Sequence, residues 1–463
     1  SIVRLISADL HPDGRGWIDE PVTSDVDGSY RAREQAIPAG SWAVVPAKPC
    51  LCAETFTVAA WIWPTTPLKG EQVLARRMTP DGTRGWSLGI DSAGTLSMQV
   101  ATTQGVVSVS TGMTLGNRVW CFVGASVDGE TGTVTVWQRP QKSWPGHDAT
   151  DEAQALFKGA VHAGGLPLTF AAAFERKDGE QTFGTGFYNG KIEAPRLYRT
   201  ALGGAEAQAR QEAPDSQKSL ISAWDFGRDI TGTRISDISA NQAHGHVLNV
   251  PTRGMKGHNW TGEVLDWKAA PHQYGAIHFH DDDIHDCGWQ TDFSLTVPKD
   301  WKSGIYAARL QSGEDRDYIP FVVLPPRGEA TADVLFLMPS ASYMAYANEH
   351  SASHGGGFMQ SFSNGLSGLS AQDLLLNERP DLGYSLYDVH SDGSGVAYSS
   401  RLRPILNIRP GVTNAWVGPA GTFPWQFNAD LPLLDFMNHH GIACDVATDE
   451  DLHREGLGLL SRY

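Results

Sequence analysis

Cysteines are few in this sequence and long apolar runs are missing, and both absences narrow the class of protein. The five cysteines are scattered and odd in number: Cys50, Cys52, Cys121, Cys287 and Cys444. Such a set favours a reducing compartment over a disulfide framework, so we expect a cytoplasmic protein. No run approaches the ~20 apolar residues that a membrane helix needs, and no apolar leader follows the first residues. We therefore expect no membrane partner.

Positive charge is also scarce. The 463 residues include 36 lysines and arginines against 52 acidic residues, which gives a net charge of −16. Because an acidic surface repels phosphate backbones, we expect no nucleic-acid partner. Glycine, proline and tryptophan are plentiful instead, with 50, 26 and 15 residues, as is typical of loop-rich β-proteins. A chain of this length predicts two or three domains.

Two common site motifs are absent as well. There is no G-x-S-x-G nucleophile elbow near the candidate loops described below, and no phosphate-binding G-x-x-x-x-G-K-[ST]. The run Gly355-Gly356-Gly357 lacks the lysine that such a phosphate loop needs. These absences argue against a serine hydrolase and against a nucleotide-binding protein.

After an N-terminal extension (1–41), the pattern over 42–226 predicts a β-sandwich. Short strands alternate with turn signals, as in FTVAAWIWP, GWSLGID and VWCFVGASVDGETGTVTVWQ, and GKIEAPRLYRTAL and LISAWDF follow. This order resembles the laminin-G, concanavalin-A-like jelly roll. Such modules bind glycans or serve as docking sandwiches, and both interpretations stay open.

A further β-region is predicted over 227–328. It contains HQYGAIHFHDDDIHDCG and strands at 293–297, 304–310 and 318–324. Since side chains alternate along a strand, His278 and His280 are expected on one face. Together with the carboxylates of 281–283, they provide the types of ligand that zinc or iron binds, which predicts a zinc or iron site. The alternative is that the acidic run is a solvated turn.

The remaining residues, 329–463, predict an α/β domain. The apolar run Val334–Met338 is a buried strand ended by a proline. A helix capped within 428–430, a strand at 442–446 and a short helix with a Thr448–Asp451 capping box follow. This is the start of a doubly wound parallel sheet, which normally has more strands. We expect the sheet to be completed by residues of this or another polypeptide that the sequence does not contain.

Two tyrosine-rich loops lie in this domain. The first carries Tyr343, Tyr346, Asn348, Glu349 and His350, and the second carries Tyr384, Tyr387, Asp388 and His390. The first follows a predicted parallel strand directly, and ligands bind at the carboxyl ends of such strands. The two loops together are therefore the candidate site.

The segments ADVLFLMPSASYMAYANEH, SLYDVHSDGSGV, AIHFHDDDIHDCGW and VPKDWKSGIYAARL are similar to the large subunit of N,N-dimethylformamidase. The resemblance covers about 42–463 and includes the order of a sandwich followed by an α/β domain. It implies an amidohydrolase that cleaves N,N-dimethylformamide or a similar small formamide to an amine and formate. It also implies a mononuclear ferric iron, a small helical second subunit and a higher oligomer.

The resemblance further implies the iron ligands, which are two tyrosines and a glutamate. The tyrosines fall on Tyr346 and Tyr387, although Tyr343 and Tyr384 have the same separation and leave a shifted assignment open. The glutamate belongs to an H-P-E-Y-W-like segment that this sequence does not contain, so we expect it from a missing C-terminal part or a separate chain. Ferric iron is hard and prefers phenolate and carboxylate oxygen.

Hydrolysis of an amide also needs a group that moves a proton to the amine. His390 is the candidate for that role, and Asn348 and Glu349 are candidates for the substrate pocket. Two other functions remain open. One is a noncatalytic glycan-binding protein whose active part is the sandwich. The other is a zinc amidohydrolase that uses His278 and His280.

Overall fold

The computed structural model describes residues 34–141, 149–162, 164–212, 219–292, 294–312, 314–350, 353, 369, 371–409, 412–414 and 423–463. Residue contacts divide the chain into two compact units. We call the first, which contains Pro38–Ile284 and Ser391–Gly393, the sandwich unit. The second contains His285–His390, Ser394–Tyr463 and the described part of the N-terminus, and we call it the tyrosine unit.

The sandwich unit is built from short antiparallel strands. They are β1 (Trp42–Val45), β2 (Phe56–Pro64), β3 (Gln72–Met78), β4 (Gly85–Ile90), β5 (Thr95–Thr102), β6 (Gly105–Thr114), β7 (Cys121–Asp128), β8 (Thr133–Pro140), β9 (Asp151–Leu156), β10 (Leu168–Phe170), β11 (Ala173–Asp178), β12 (Gln181–Thr185), β13 (Gly190–Tyr198), β14 (Leu220–Asp225), β15 (Arg234–Asp237), β16 (Gly245–Leu248), β17 (Thr252–Met255) and β18 (Ala276–Phe279). The main path runs β6-β5-β4-β3-β10-β1-β16-β15-β14-β13-β2-β7-β8-β9, and β18 pairs with β13 and β17. The helix Gly204–Gln211 follows β13.

Alternation along the strands explains the two cores of this unit. On β2, Val58 and Ile62 face the main core, whereas Trp61 faces a second cluster that includes Phe122 and Trp137. Because β2 is buried on both faces, its sequence reads as an almost continuous apolar run. Burying each large apolar side chain contributes about 1.5–3 kcal/mol. The predicted laminin-G-like sandwich is therefore present, with its strands close to the predicted positions.

The division of the chain differs from the predicted domain boundaries. Strands β15 and β16 pair with β14 and β1, and β18 pairs with β13, so 227–284 is part of the sandwich unit. Residues 285–328 belong to the tyrosine unit. The segment predicted as one second β-region is thus split at Ile284, because its first half completes the sandwich sheet.

The tyrosine unit contains a hairpin and a short parallel sheet. The hairpin consists of β19 (Gly304–Ser312) and β20 (Asp315–Val323). The parallel pair consists of β21 (Val334–Met338) and β24 (Cys444–Thr448). A third, short antiparallel pair consists of β22 (Thr413–Asn414) and β23 (Phe423–Pro424). The α-helices among the described residues of this unit are Ser340–Ala345, Ala371–Glu378, Phe427–His439, Asp449–Glu455 and Leu457–Leu460. Met338, Tyr343, Phe427, Leu431 and Val446 belong to its apolar core.

Several element predictions for this unit are confirmed and others are wrong. The strand Val334–Met338 has the predicted bounds, although only Met338 is buried rather than the whole strand, and the Thr448–Asp451 capping box is present. Residues 294–297, which were predicted to belong to a strand, form none. The long helix begins at Phe427, so Asn428 lies inside it, and its side chain donates to two loop carbonyls rather than capping the helix.

Among the described residues, no helix has the length and apolar character needed to cross a membrane.

Candidate functional site

The first tyrosine loop begins where β21 ends. Pro339 follows the strand, and proline cannot continue a sheet ladder because it has no amide hydrogen. The short helix Ser340–Ala345 comes next, and Tyr346 is its C-terminal cap. Since β21 pairs in parallel with β24, Tyr346 follows the carboxyl end of a parallel strand, where α/β proteins bind ligands.

Asn348 fixes the loop just after this tyrosine. Its backbone is left-handed (φ +59°), a conformation that asparagine tolerates better than most residues. Its side-chain nitrogen donates to the carbonyls of Leu382 and Pro404 at 3.1 and 2.8 Å, and its oxygen accepts from the amide of Leu406 at 2.8 Å. The fully buried Asn348 side chain thus positions backbone, and the predicted contact with substrate stays a prediction.

A buried arginine joins the two tyrosine loops. The guanidinium of Arg403 donates to the carbonyls of Leu382 at 2.9 Å, Ala347 at 3.3 Å and Tyr384 at 2.8 Å. Burial lowers the pKa of Arg403 to about 10, so the group stays charged at neutral pH. Because Ala347 lies in the first loop and Tyr384 in the second, one side chain holds the two loops together.

The second loop is held by its own serine and aspartate. The amide of Ser385 donates to Asp388 Oδ2 at 2.9 Å, and the amide of Tyr387 donates to Ser385 Oγ at 3.2 Å. The amide of Leu386 donates across to the carbonyl of Ala345 at 2.9 Å. These bonds fix the backbone of Tyr387 relative to the helix that leads into Tyr346.

His350 and Asp388 form a buried pair beneath the loops. His350 Nδ1 lies 3.2 Å from Asp388 Oδ2, and the His350 amide donates to Asp388 Oδ1 at 3.1 Å. Burial raises the pKa of Asp388, but hydrogen bonds from His350 and Ser385 outweigh it and hold that pKa below its ordinary value. Since His350 Nε2 lies 3.3 Å from the carbonyl of Leu376, both ring nitrogens contact neighbours and the histidine acts as a positioning residue.

Tyr346 and Tyr387 lie directly against each other. Their ring centroids are 4.1 Å apart with planes 17° from parallel, and their side chains share a hydrogen bond. Trp425 packs edge-on against Tyr346 at 5.5 Å, and the Tyr387 side chain is 63% exposed. Burial, the hydroxyl and charge of Tyr387 and the charge of Glu349 raise the pKa of Tyr346 to about 12. The two phenol rings therefore lie side by side, and Tyr387 is the more exposed of the two.

The alternative pair, Tyr343 and Tyr384, has different neighbours. The Tyr343 hydroxyl donates to Asp430, its ring packs edge-on against Phe427, and burial followed by Asp430 raises its pKa far above the ordinary value. The Tyr384 ring lies 4.9 Å from the ring of His350. Tyr343 and Tyr384 thus contact other residues, whereas Tyr346 and Tyr387 contact each other.

The other predicted site residues are both buried. Glu349 is 8% exposed, and its charge acts on Tyr346. His390 is 5% exposed, and its amide donates to the carbonyl of Ser394 at 2.8 Å, which closes the end of the loop. The roles predicted for the two side chains, in the substrate pocket and in proton transfer, stay predictions.

Sequence reasoning missed three residues that shape this site. They are Arg403, Trp425 and Asn407, whose side chain donates to the carbonyl of Tyr346 at 2.6 Å. A signal existed for two of them, because Arg403 and Asn407 interrupt the otherwise apolar run LRPILNI. A buried polar residue in such a run must find partners, which is a mark of a structural network.

The sandwich unit contains a second group of chemistry-bearing side chains. His278 and His280 lie together as predicted, with ring centroids 4.2 Å apart, and His278 Nε2 lies 3.2 Å from Asp392 Oδ2. Burial lowers the pKa of His278 to about 4, against the opposing effect of Asp392, so its imidazole is neutral at pH 7. Asp282 and Asp283 are 7 and 8% exposed, so most of the acidic run is not a solvated turn.

The fold and both groups of residues define a laminin-G-like sandwich followed by a tyrosine-bearing unit. Residues 38–208 match the family described as the concanavalin A-like lectin/glucanases superfamily. Residues 252–463 match the family described as N,N-dimethylformamidase beta subunit-like, C-terminal.

Two curated relatives extend this similarity over the whole chain. The N,N-dimethylformamidase beta subunit of Paracoccus aminophilus is 38% identical over 484 aligned residues, which cover 100% of this chain and 62% of that protein. The corresponding subunit of an Alcaligenes species is 34% identical over 482 residues, with the same coverage. This chain thus spans about 62% of the length of these relatives. Their designation as beta subunits corrects the large-subunit designation of the sequence-based resemblance, and it fits a multi-subunit enzyme.

Similarity to solved structures is weak. A carbohydrate-binding protein of Bacteroides ovatus, which its description calls putative, is 16% identical with a TM-score of 0.33, over 46% of this chain and 58% of that one. A likeness of this size carries no argument about sugar binding.

Proposed function

We propose that this chain belongs to an amidohydrolase that cleaves the C–N bond of N,N-dimethylformamide or a similar small formamide. In this proposal Tyr346 and Tyr387 hold a mononuclear ferric iron. The observation that carries it is the stacked tyrosine pair, whose rings are 4.1 Å apart and whose side chains share a hydrogen bond. The names of the curated relatives supply the reaction class.

The tyrosine pair suits a hard, highly charged ion. Phenolate oxygen is among the ligands that such ions prefer. The pKa of Tyr346 is raised to about 12, so this phenol keeps its proton at neutral pH when no cation is near. An opposite charge within a few ångströms favours the ionised form and offsets this rise. The negative charge of Glu349 also acts on Tyr346.

When bound, a ferric ion would polarise the formyl oxygen and lower the pKa of a water ligand. The residues of this chain hold and orient that chemistry. Arg403, Asn348 and the His350–Asp388 pair fix the two loops, and Trp425 packs against Tyr346 on one side. His390 is the candidate for moving the proton to the leaving amine, as the sequence predicts.

Two tyrosines leave the coordination incomplete. The proposal therefore includes a glutamate ligand from a segment outside this sequence or from another chain. It also includes a small second subunit and assembly into a higher oligomer, in keeping with relatives that are named as subunits.

The test is the visible absorption spectrum of the complete enzyme, with iron and hydrolysis of N,N-dimethylformamide measured on the same sample. A ferric phenolate centre is coloured, so we expect a charge-transfer band and about one iron per chain. Tyr346→Phe and Tyr387→Phe should each shift or remove the band. Each should lower hydrolysis by more than about 100-fold, since even the loss of an outer-shell partner costs 10–100-fold.

Tyr384→Phe is the matched control, because it changes a tyrosine of the same loop whose ring faces His350. It should keep the band and the iron. A folded, colourless and iron-free wild-type enzyme would contradict the proposal. If such a protein bound a glycan, the noncatalytic function would be favoured.

A further inference from the structure

A cluster of two imidazoles and one carboxylate lies in the sandwich unit and includes none of the residues that are proposed to hold iron. One ligand atom from each of His278, His280 and Asp392 lies within 4.8 Å of the other two. The three residues are 4, 1 and 7% exposed. We propose that they bind a divalent first-row transition ion, such as Zn²⁺, which ties residues 391–393 to strand β18.

The backbone places the two histidines for this purpose. His278 lies on β18, and His280 is two residues further along the chain, so both side chains project from the same face. Their ring centroids are 4.2 Å apart with planes 40° from parallel. This arrangement brings a nitrogen of each ring toward a common point.

The carboxylate of Asp392 belongs to a loop whose backbone is fixed by hydrogen bonds. The amide of Ser391 donates to Asp282 Oδ2 at 2.7 Å, and Ser391 Oγ donates to Asp281 Oδ1 at 2.5 Å. Arg118 Nη2 donates to the carbonyl of Asp392 at 2.9 Å. Because these contacts hold the main chain on both sides of its Cα, the side chain of Asp392 has little freedom left to lose on binding an ion.

An outer-shell carboxylate orients one of the histidines. Asp283 Oδ2 lies 3.0 Å from His280 Nδ1 and accepts from Ser41 Oγ at 2.6 Å. Ser41 Oγ also accepts from the amide of His280 at 3.1 Å. Metal-binding histidines commonly donate their second ring N–H to such a carboxylate, which fixes the tautomer. Here that arrangement leaves Nε2 of His280 as the nitrogen for the ion.

The spacing and the chemistry of the ligands suit a transition ion. Bonds of about 2.1 Å to two atoms 3.2 Å apart, as His278 Nε2 and Asp392 Oδ2 are, enclose an angle of about 100°. That value lies between octahedral and tetrahedral geometry. Imidazole nitrogen favours zinc, copper, iron or nickel over calcium and magnesium, which take oxygen ligands. A divalent ion also places positive charge beside the fully buried side chain of Asp392.

Binding of such an ion would stabilise the folded sandwich unit. Residues 278 and 392 are far apart in sequence, so an ion that binds both restrains a long stretch of chain. An ion that binds only the folded form also raises the apparent stability with its concentration. A metal at this place therefore holds the 391–393 loop to strand β18.

The test uses the complete enzyme carrying Tyr346→Phe and Tyr387→Phe, so that an ion at the tyrosine pair does not count. Equilibrium dialysis against Zn²⁺ alone should give one zinc per chain in this parent protein. Zinc binding should weaken at least about tenfold in His280→Ala and in Asp392→Asn. His246→Ala, which changes an exposed histidine on a strand of the same unit, is the matched control and should leave binding intact.

Two further measurements cover the case in which a ligand variant fails to fold. Asp283→Asn keeps the ligands and changes only the outer shell, so zinc binding should weaken by about 10–100-fold. X-ray absorption at the zinc edge of the parent should show scattering from two imidazoles.

A folded parent that binds no zinc, or zinc without imidazole scattering, would overturn the proposal. So would equal zinc binding by the parent and Asp392→Asn. These outcomes do not depend on the iron chromophore of the wild-type enzyme. A colourless wild type would overturn the proposed function and leave the zinc result unchanged.

Discussion

The sandwich unit and the tyrosine unit are stabilised by different interactions. The sandwich unit has a large apolar core in which aromatic rings such as those of Phe170 and Trp224 pack edge-on at 5.1 Å. The described core of the tyrosine unit is smaller, and its loops are held by the buried polar side chains of Arg403, Asn348 and Asp388.

The difference follows from what each unit has to hold. Apolar packing is nondirectional and tolerates substitution when volume is kept. Hydrogen bonds to named carbonyls fix a backbone in one geometry, but a partly broken network leaves buried groups unsatisfied. Polar networks therefore suit the two tyrosine loops, whose backbones they hold in one geometry. The four predictions below test this contrast.

Arg403→Met should have the largest effect. It leaves three backbone carbonyls without their buried donor, which we expect to cost about 3–5 kcal/mol. The loss should appear in urea denaturation as an earlier transition of the tyrosine unit, together with loss of hydrolysis. Arg379→Met removes an exposed ion pair with Asp381 and should change stability by less than about 1 kcal/mol. Equal midpoints for the two variants would show that the Arg403 network is dispensable.

Leu88→Ala tests the apolar side of the comparison. Leu88 is 1% exposed on β4, and truncation of a buried leucine should cost about 3 kcal/mol through lost burial and a cavity. Calorimetry should place this loss in the sandwich transition, whereas Leu68→Ala, at a residue that is 68% exposed, should be nearly neutral. An unchanged transition temperature in Leu88→Ala would contradict the assignment of this core.

Substitution of Asn348 should have an intermediate effect on stability. Two substitutions separate the contribution of its side-chain hydrogen bonds from that of its left-handed backbone. Asn348→Gly keeps the left-handed backbone accessible but loses the side-chain hydrogen bonds, which should cost about 2 kcal/mol. Asn348→Ala should be worse by about 1 kcal/mol, because alanine disfavours positive φ. Denaturation midpoints give the order. An alanine variant as stable as the glycine variant would mean that the backbone relaxes.

Thr448→Ala should have the smallest effect. Thr448 caps the helix Asp449–Glu455, where it accepts from the amide of Asp451 in a capping box. Its loss should cost about 1 kcal/mol, and Thr448→Ser should restore most of it because the hydroxyl remains. Thermal unfolding midpoints of the wild type, Thr448→Ala and Thr448→Ser measure both effects. A serine variant as unstable as the alanine variant would mean that the methyl group matters more than the cap.

Features fixed by neighbouring residues were predictable from the sequence. The strand Val334–Met338 has its predicted bounds, because an apolar run and a proline define both ends locally. The capping box depends on residues three apart, and it is present. The tyrosine spacing led to the stacked pair only through a family resemblance, since spacing alone left Tyr343 and Tyr384 open.

Features fixed by distant partners were not predictable. Asn428 was expected to cap a helix, but its side chain donates to carbonyls 16 and 19 residues earlier. Asp392 meets His278 from 114 residues away, and no local pattern records that contact. The sequence shows Arg403 only as a charged residue within an apolar run. Its carbonyl partners could not be predicted, because they come together only when the loops fold.

The long separation between β21 and β24 has a consequence for synthesis of the chain. Every named strand of the sandwich unit ends by Phe279, whereas β21 meets its parallel partner only when Cys444–Thr448 has been made. At ~5–20 residues per second, the ribosome needs on the order of ten seconds for the intervening chain. Nearly all of the sandwich can therefore fold while the tyrosine loops still lack the strand that supports them. The two tyrosine loops therefore reach their final arrangement late in the synthesis of the chain.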